Sequence, residues 1–341
     1  MSSSAPAPFQ FLPLGAIIQA FIVGKTNIVQ GFPKQSHYPQ HNAPFFGETI
    51  GRIANRVKNA KIDSLNDKSY SLAANNGVNS LHGGHRGWGK RIWEGPTPVG
   101  VRSAGIDGLE GESVMFKLRS EDGDEGYPGT VEASVTYTAV ETEEGVRVLG
   151  IEYQVELVGN EVEETAVNVT NHSYFNLSGN PTIEGTQVSL CSNNYLPVDD
   201  GGIPTGNPKP YSGVEPNKTF TLGAEEPDID DCFIVDPSTA SSIPLDTRNS
   251  PLTKLVTAYH PQTKNHLEVL STEPAFQFYT GKYIDVPEVE DVAARGKRSG
   301  FCVEPSRYVN AVNVPEWKAQ VVLKKGEVYG NRVVYRGWSD E

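Results

Sequence analysis

The chain has 341 residues, a formal net charge of −13 and a pI near 5.1. That acidic balance argues against nucleic acid or an anionic membrane as a partner, since both call for basic patches; a small neutral ligand fits better. Length alone allows two domains or one large one, and no repeat or composition break marks a linker, so residues 1–341 read as one domain.

In chain order, the first apolar run, LGAIIQAFIVG from Leu14, is interrupted by Gln19 and has no basic stretch before it. It therefore fails as a signal peptide or membrane span, and a cytoplasmic protein is the simplest expectation. VGKT at Val23 to Thr26 matches the tail of a phosphate-binding loop, but Gln19 stands where the first glycine of that motif belongs. GETIGRIANRVKNAKI, read as extended chain, sets Arg52 and Arg56 on one side and Ile53 and Val57 on the other. Guanidinium forks suit hydroxyls or carboxylates, while a solvated charged face is the plain alternative. In NSLHGGHRGWGKRIWEG the Gly-Gly pair lets backbone approach a ligand closely while His82 projects from a tight loop, although structural histidines are the commoner case. Trp88 and Trp93 are read as packing residues.

Two runs carry clear period-two alternation. TVEASVTYTA sets Val131, Ala133, Val135 and Tyr137 against Glu132, Ser134, Thr136 and Thr138, and IEYQVEL repeats the pattern from Ile151. With 34 glycines and 24 prolines concentrated in turn-like clusters, the expectation is an antiparallel all-β protein of many short strands. NVTNHSYFNLSG, as extended chain, places His172 on its more polar face. N-x-S/T sequons at Asn168, Asn171, Asn176 and Asn217 would be glycan acceptors in a secreted protein. YLPVDDGGIPTGNPKPYSG reads as a long surface loop, and PEVEDVAARGK from Pro287 is the one stretch with a helical start.

Few acids stand out. DIDDCF supplies Asp228, Asp230 and Asp231 but lacks the spaced oxygen ligands and closing glutamate of a calcium loop. Gln277 sits among aromatics in EPAFQFYTGKY, where an amide could read a hydroxyl or satisfy backbone. Glu304, in GFCVEPSRYVNAVN, follows an apolar run and precedes a proline; a carboxyl so placed is expected to be partly buried and to need a partner. Cys191, Cys232 and Cys302 are far apart without a C-x-x-C pair, so neither zinc nor a disulfide framework is indicated, and buried thiols are expected.

Taken in order, GRIANRV, NSLHGG, DGDEGYPG, NHSYFNLSG, DDCF, QFYTG and GFCVEPSRYVNAVN resemble the aldose 1-epimerase (galactose mutarotase) family from about Phe45 to Asn313. The resemblance implies a large antiparallel β-sandwich with an open sugar cleft, acting on a free aldose as a monomer or weak dimer, with no metal or cofactor. It implies a general acid at His172 and a general base at Glu304. Arg56, His82, Asp230 and Gln277 take hydroxyl-binding or orienting roles, with Asn55 beside Arg56. The family order puts the binding aspartate three residues before the aromatic, which selects Asp230 over Asp231. Val309 and Asn310 replace the family's common Pro-Asp, and Asp231 replaces a frequent histidine. Two other readings share the fold: a hexose-6-phosphate epimerase, with Arg52, Arg86, Lys90 and Arg91 as phosphate cations, and a sugar sensor without turnover.

Overall fold

Alternation along the strands requires two apolar faces to meet, and the computed structural model, which describes residues 7–106 and 108–340, shows them meeting. A nine-stranded antiparallel sheet runs in the spatial order Phe220–Thr221, Gln187–Leu190, Thr253–His260, Asn265–Ser271, Val328–Ser339, Arg147–Leu157, Val131–Glu141, Glu110–Ser120 and Glu94–Ser103. A six-stranded sheet runs Tyr174–Phe175, Phe301–Ser306, Ala275–Tyr279, Asp230–Ile234, Asn194–Tyr195 and Lys209–Pro210. The two form the expected all-β sandwich. As expected, Val131, Ala133, Val135 and Tyr137 are buried, and Glu132 is exposed.

The six-stranded sheet has two different faces. Phe276, Phe278, Phe301 and Val303 join Tyr137, Tyr153 and Val155 of the larger sheet in one apolar cluster. Burying each such side chain contributes roughly 1.5–3 kcal/mol, so half of every strand holds the sandwich together. The alternate residues, Gln277, Tyr279, Cys302 and Glu304, point the other way, where segments from the first third of the chain wall in a cleft. Thr49–Ile50 pairs with Thr170–Asn171, and Arg56–Val57 pairs with Ser80–Leu81. Trp88 and Trp93 are buried in an edge-to-face contact, as packing residues.

Several expectations change. Residues 165–178 are buried throughout, so the more polar face that carries His172 lies inside the protein. The segment threads the interior because its polar groups find partners: Asn168 bonds the backbone of Arg307 in both directions, Asn171 donates to Gly47, and Asn176 donates to Ser299. The sequons at Asn168, Asn171 and Asn176 are therefore inaccessible, and Asn217 is exposed. Residues 287–297 form no helix. Val286 bridges Arg295 and Val289 bridges Val292, with Glu290 at φ 52°, because too few apolar residues recur at helical spacing to hold a helix against the protein. The stretch from Tyr195 to Gly213 is mostly a surface loop, as expected, tied near its ends where Asn194–Tyr195 pairs Lys209–Pro210. Cys191 is half-buried, while Cys232 and Cys302 are buried. Among the described residues no helix is long and apolar enough to cross a membrane.

Candidate active site

Register explains how His172 and Glu304 meet. Tyr174 lies opposite Cys302 and Phe175 opposite Phe301 in the Tyr174–Phe175 and Phe301–Ser306 ladder. Carrying that antiparallel register two residues further sets His172 across from Glu304, and His172 Nε2 stands 3.5 Å from Glu304 Oε1. The histidine backbone is pinned on its other side, donating to Glu48 O and accepting from the Gly47 amide. His172 is 4% exposed and Glu304 5%. Burial disfavours both charges. It lowers the His172 imidazole to about 3, helped by the nearby Lys90 ammonium. It raises the Glu304 carboxyl well above its ordinary value, with Asp230 adding to the shift and Arg56 opposing it.

The neighbouring strand supplies the polar floor. Gln277 is directly opposite Glu304 in the register, so both project to the same face. The Gln277 amide is oriented at both ends: Nε2 donates to Asp230 Oδ1 at 2.7 Å, and Oε1 accepts from Asn55 Nδ2 at 3.1 Å. Asp230 opens onto the cleft, yet the surrounding walls remove enough water to raise its carboxyl. Asp231 turns to the other face, where its carboxylate meets Tyr211; burial and the adjacent Asp230 raise it to about 6.

The loop from Arg52 to Arg56 does not stay extended, because Asn55 takes φ 56°. The two arginines therefore separate. Arg52 is buried and donates to Pro128 O, Gly129 O and Ser120. Arg56 faces the cleft, donating from Nε to Asn76 Oδ1 and lying against Gly202, where a Cβ would come within 2.9 Å of its guanidinium. The Tyr195–Gly213 segment is thus a wall of the cleft as well as surface. His82, at φ 51°, accepts the Asn55 amide on Nδ1 at 3.2 Å, and its ring stacks edge-on against His172 with centroids 5.1 Å apart. Gly83 is required for a different reason from the expected ligand approach: a Cβ there would sit 2.0 Å from Gly51 O, so the loop packs on backbone.

The seven residues to which the resemblance gives roles thus come together at one place. Others escaped that reading. Phe45, a bulky residue at φ 68°, touches the rings of both His82 and His172, and the Lys90 ammonium lies 4.5 Å over it. Lys90 itself bonds buried Glu48 at 2.6 Å, and burial raises that carboxyl to about 7. Positive φ on a phenylalanine has no sequence signature, and Glu48 and Lys90 meet only through the fold. His82, His172 and Glu304 place donor atoms within 4.8 Å of one another. Zinc bonds of about 2.0–2.1 Å to nitrogen set donors about 3.3 Å apart, and we do not assign the cluster as a metal site.

A buried imidazole and carboxyl side by side among hydrogen-bonding groups form an arrangement able to carry out general acid–base chemistry. The aldose 1-epimerase family model matches residues 6–336, and the chain belongs to the aldose 1-epimerase family. It is 40% identical over 328 residues to the bifunctional protein GAL10 of Pachysolen tannophilus, covering 94% of this chain and 44% of that protein. It is 36% identical over 316 residues to galactose mutarotase of Sus scrofa, covering 90% of this chain and 82% of the relative. The chain therefore spans less than half the length of the bifunctional relatives. The fold matches the GalM/aldose epimerase homologue of C. elegans with a TM-score of 0.79 at 24% identity, over 98% of this chain and 96% of that one.

Proposed function

We propose that the protein interconverts the α and β anomers of a free hexose, such as galactose or glucose, by opening and reclosing the ring. The observation that carries this reading is the buried His172–Glu304 pair, 3.5 Å apart and ringed by groups able to hold hydroxyls. Ring opening removes a proton from the C1 hydroxyl and delivers one to the ring oxygen. In the reading the resemblance suggests, Glu304 takes the first and His172 gives the second. The C1–C2 bond then rotates and the transfers reverse.

The pair holds one proton throughout. With the cyclic sugar it is an ion pair, carboxylate and imidazolium; with the open aldehyde both groups are neutral. Burial favours the neutral state, so the protein's own electrostatics favour the ring-opened stage. Arg56, His82, Asp230, Gln277 and Asn55 orient the sugar. No step requires a metal or nucleotide. We place this activity in the cytoplasm, a compartment that keeps unpaired cysteines such as Cys191, Cys232 and Cys302 reduced.

The phosphorylated-sugar reading is less well supported, because three of its four proposed cations are committed elsewhere and the fourth, Arg86, is exposed. Arg52 is bound to backbone, Lys90 to Glu48 and Arg91 to Asp124 at 2.7 Å. A non-turning sensor would have no use for two buried, mutually aimed proton carriers. Polarimetry of freshly dissolved α-D-galactose and α-D-glucose tests the proposal: the rotation should relax faster to an unchanged end point, with chelator making no difference. Absence of acceleration with either sugar would overturn it.

A further inference from the structure

Two histidines share the cleft, and their Nδ1 atoms are held differently. Nδ1 of His82 accepts a backbone amide, that of Asn55, at 3.2 Å. A backbone N–H can only donate, so it holds His82 neutral with its proton on Nε2. Nδ1 of His172 instead meets the thiol of Cys302, with Sγ at 3.5 Å. This follows from the register: Cys302 is the cross-strand partner of Tyr174 and lies two residues before Glu304, so one strand brings a thiol to Nδ1 and a carboxyl to Nε2 of the same ring.

We propose that Cys302 is the positioning residue that lets His172, and not His82, carry the proton in the reaction. The inference rests on the mutarotase reading above. A thiol both donates and accepts weakly. When Nε2 gives its proton to the ring oxygen, the neutral imidazole keeps its proton on Nδ1, where the sulfur accepts it, and Nε2 is left free to take a proton back. Toward the imidazolium the sulfur accepts from Nδ1–H. The side chain therefore follows the histidine through both protonation states, which the amide behind His82 cannot do.

Two further observations support this assignment. Cys302 is fully buried, and burial pushes its thiol well above the ordinary value, so the sulfur keeps its proton. Tyr174, the cross-strand partner of Cys302, sets its hydroxyl against the thiol. A hydroxyl there restricts rotation of the thiol and keeps the sulfur turned to Nδ1.

The test compares Cys302→Ala, Cys302→Ser and Tyr174→Phe by polarimetry and by 15N NMR of the imidazoles. Serine keeps a group that donates and accepts, and should retain kcat within about threefold; alanine should lose about tenfold in kcat with KM little changed. Tyr174→Phe should lose a few-fold. In the spectra, the wild type should show His82 protonated on Nε2 and His172 on Nδ1 at neutral pH, and Cys302→Ala should shift only His172 toward a tautomer mixture. Equal kcat for alanine and wild type, or His172 nitrogen signals unmoved by Cys302→Ala, would overturn the proposal. If Cys302→Ala fails to fold in a thermal melt, the serine and phenylalanine variants decide: loss in the former or no change in either readout for the latter counts against it. The tautomer spectra need no turnover, so a wild-type protein inactive on hexoses would sink the functional reading while leaving this assignment separately decided.

Discussion

Phe301–Ser306 and the residue after it supply one member each to two buried acid–base pairs of opposite character. Glu273 and Arg307, just outside Ala275–Tyr279 and Phe301–Ser306, lie 3.1 Å apart with both side chains fully buried; Tyr329 donates to the carboxylate and its ring lies 5.2 Å from the guanidinium. His172 and Glu304 are slightly open to the cleft, 3.5 Å apart. The first joins a permanent cation to a carboxylate and shuts out the solvent. The second joins two groups that can each be neutral, so its proton is free to move. Two pairs at similar depth differ in use because arginine cannot give up its proton and histidine can.

That contrast predicts different losses. Glu304→Gln should lower kcat by about 10²- to 10⁴-fold, the range for one positioned proton-transfer group, while the thermal melt stays near wild type and sugar still binds. Near wild-type turnover in a folded protein would remove Glu304 from the mechanism. Glu273→Ala should do the reverse, costing about 3–5 kcal/mol in denaturant unfolding because it strands Arg307 as a buried unpaired charge. A loss confined to kcat there would mean that the pair is not structural.

The difference also appears one strand over, between Asp230 and Asp231. Adjacent residues in a strand face opposite ways, and Asp230 meets Gln277 in the cleft whereas Asp231 meets Tyr211. A charged hydrogen bond to sugar is worth about 1.5–3 kcal/mol, so Asp230→Asn should cut kcat/KM by roughly tens-fold. Asp231→Asn should cost several-fold less. The opposite ranking on folded variants would show that the strand presents the other face to the sugar.

Much of this was legible in the sequence, for reasons that differ by element. Alternation at Val131–Tyr137 and Ile151–Leu157 fixes strands because burial itself imposes the period. The cleft residues were reached through the order of motifs; alternation would not have found them, since Phe301–Ser306 is buried on both faces and reads as unbroken core. The extended reading of Arg52 to Arg56 failed at Asn55, where a positive φ turns the chain, and the burial of the polar segment around His172 was not legible because Asn168, Asn171 and Asn176 find their partners only through the fold. Contacts such as Lys90 with Glu48 and Phe45 depend on loops meeting in space, and no local pattern encodes them.

The smallest expected effect is a pH response that stays flat where a histidine enzyme ordinarily bends. An unperturbed imidazole titrates near 6.5, and catalysis that depended on one would change between pH 5 and 8. Here the active pair holds one proton. A second proton is added only when His172 charges, and burial has lowered that event to about 3. The single proton is lost only when Glu304 ionises in the presence of a neutral His172, and burial has raised that event well above the usual carboxyl range. Both shifts widen the singly protonated window, so kcat/KM should be level from about pH 4 upward until Glu304 gives up its proton, and should fall beyond either edge. Asp230 is a neighbouring group placed to bend the acid edge, since its carboxyl is also raised. Measuring the profile for Asp230→Asn as well as wild type separates the two: a shoulder that disappears with the substitution belongs to Asp230, and one that remains belongs to the pair. A limb centred near 6.5 in both proteins would show that His172 titrates as an open imidazole and that the desolvated pair described here is not the working state.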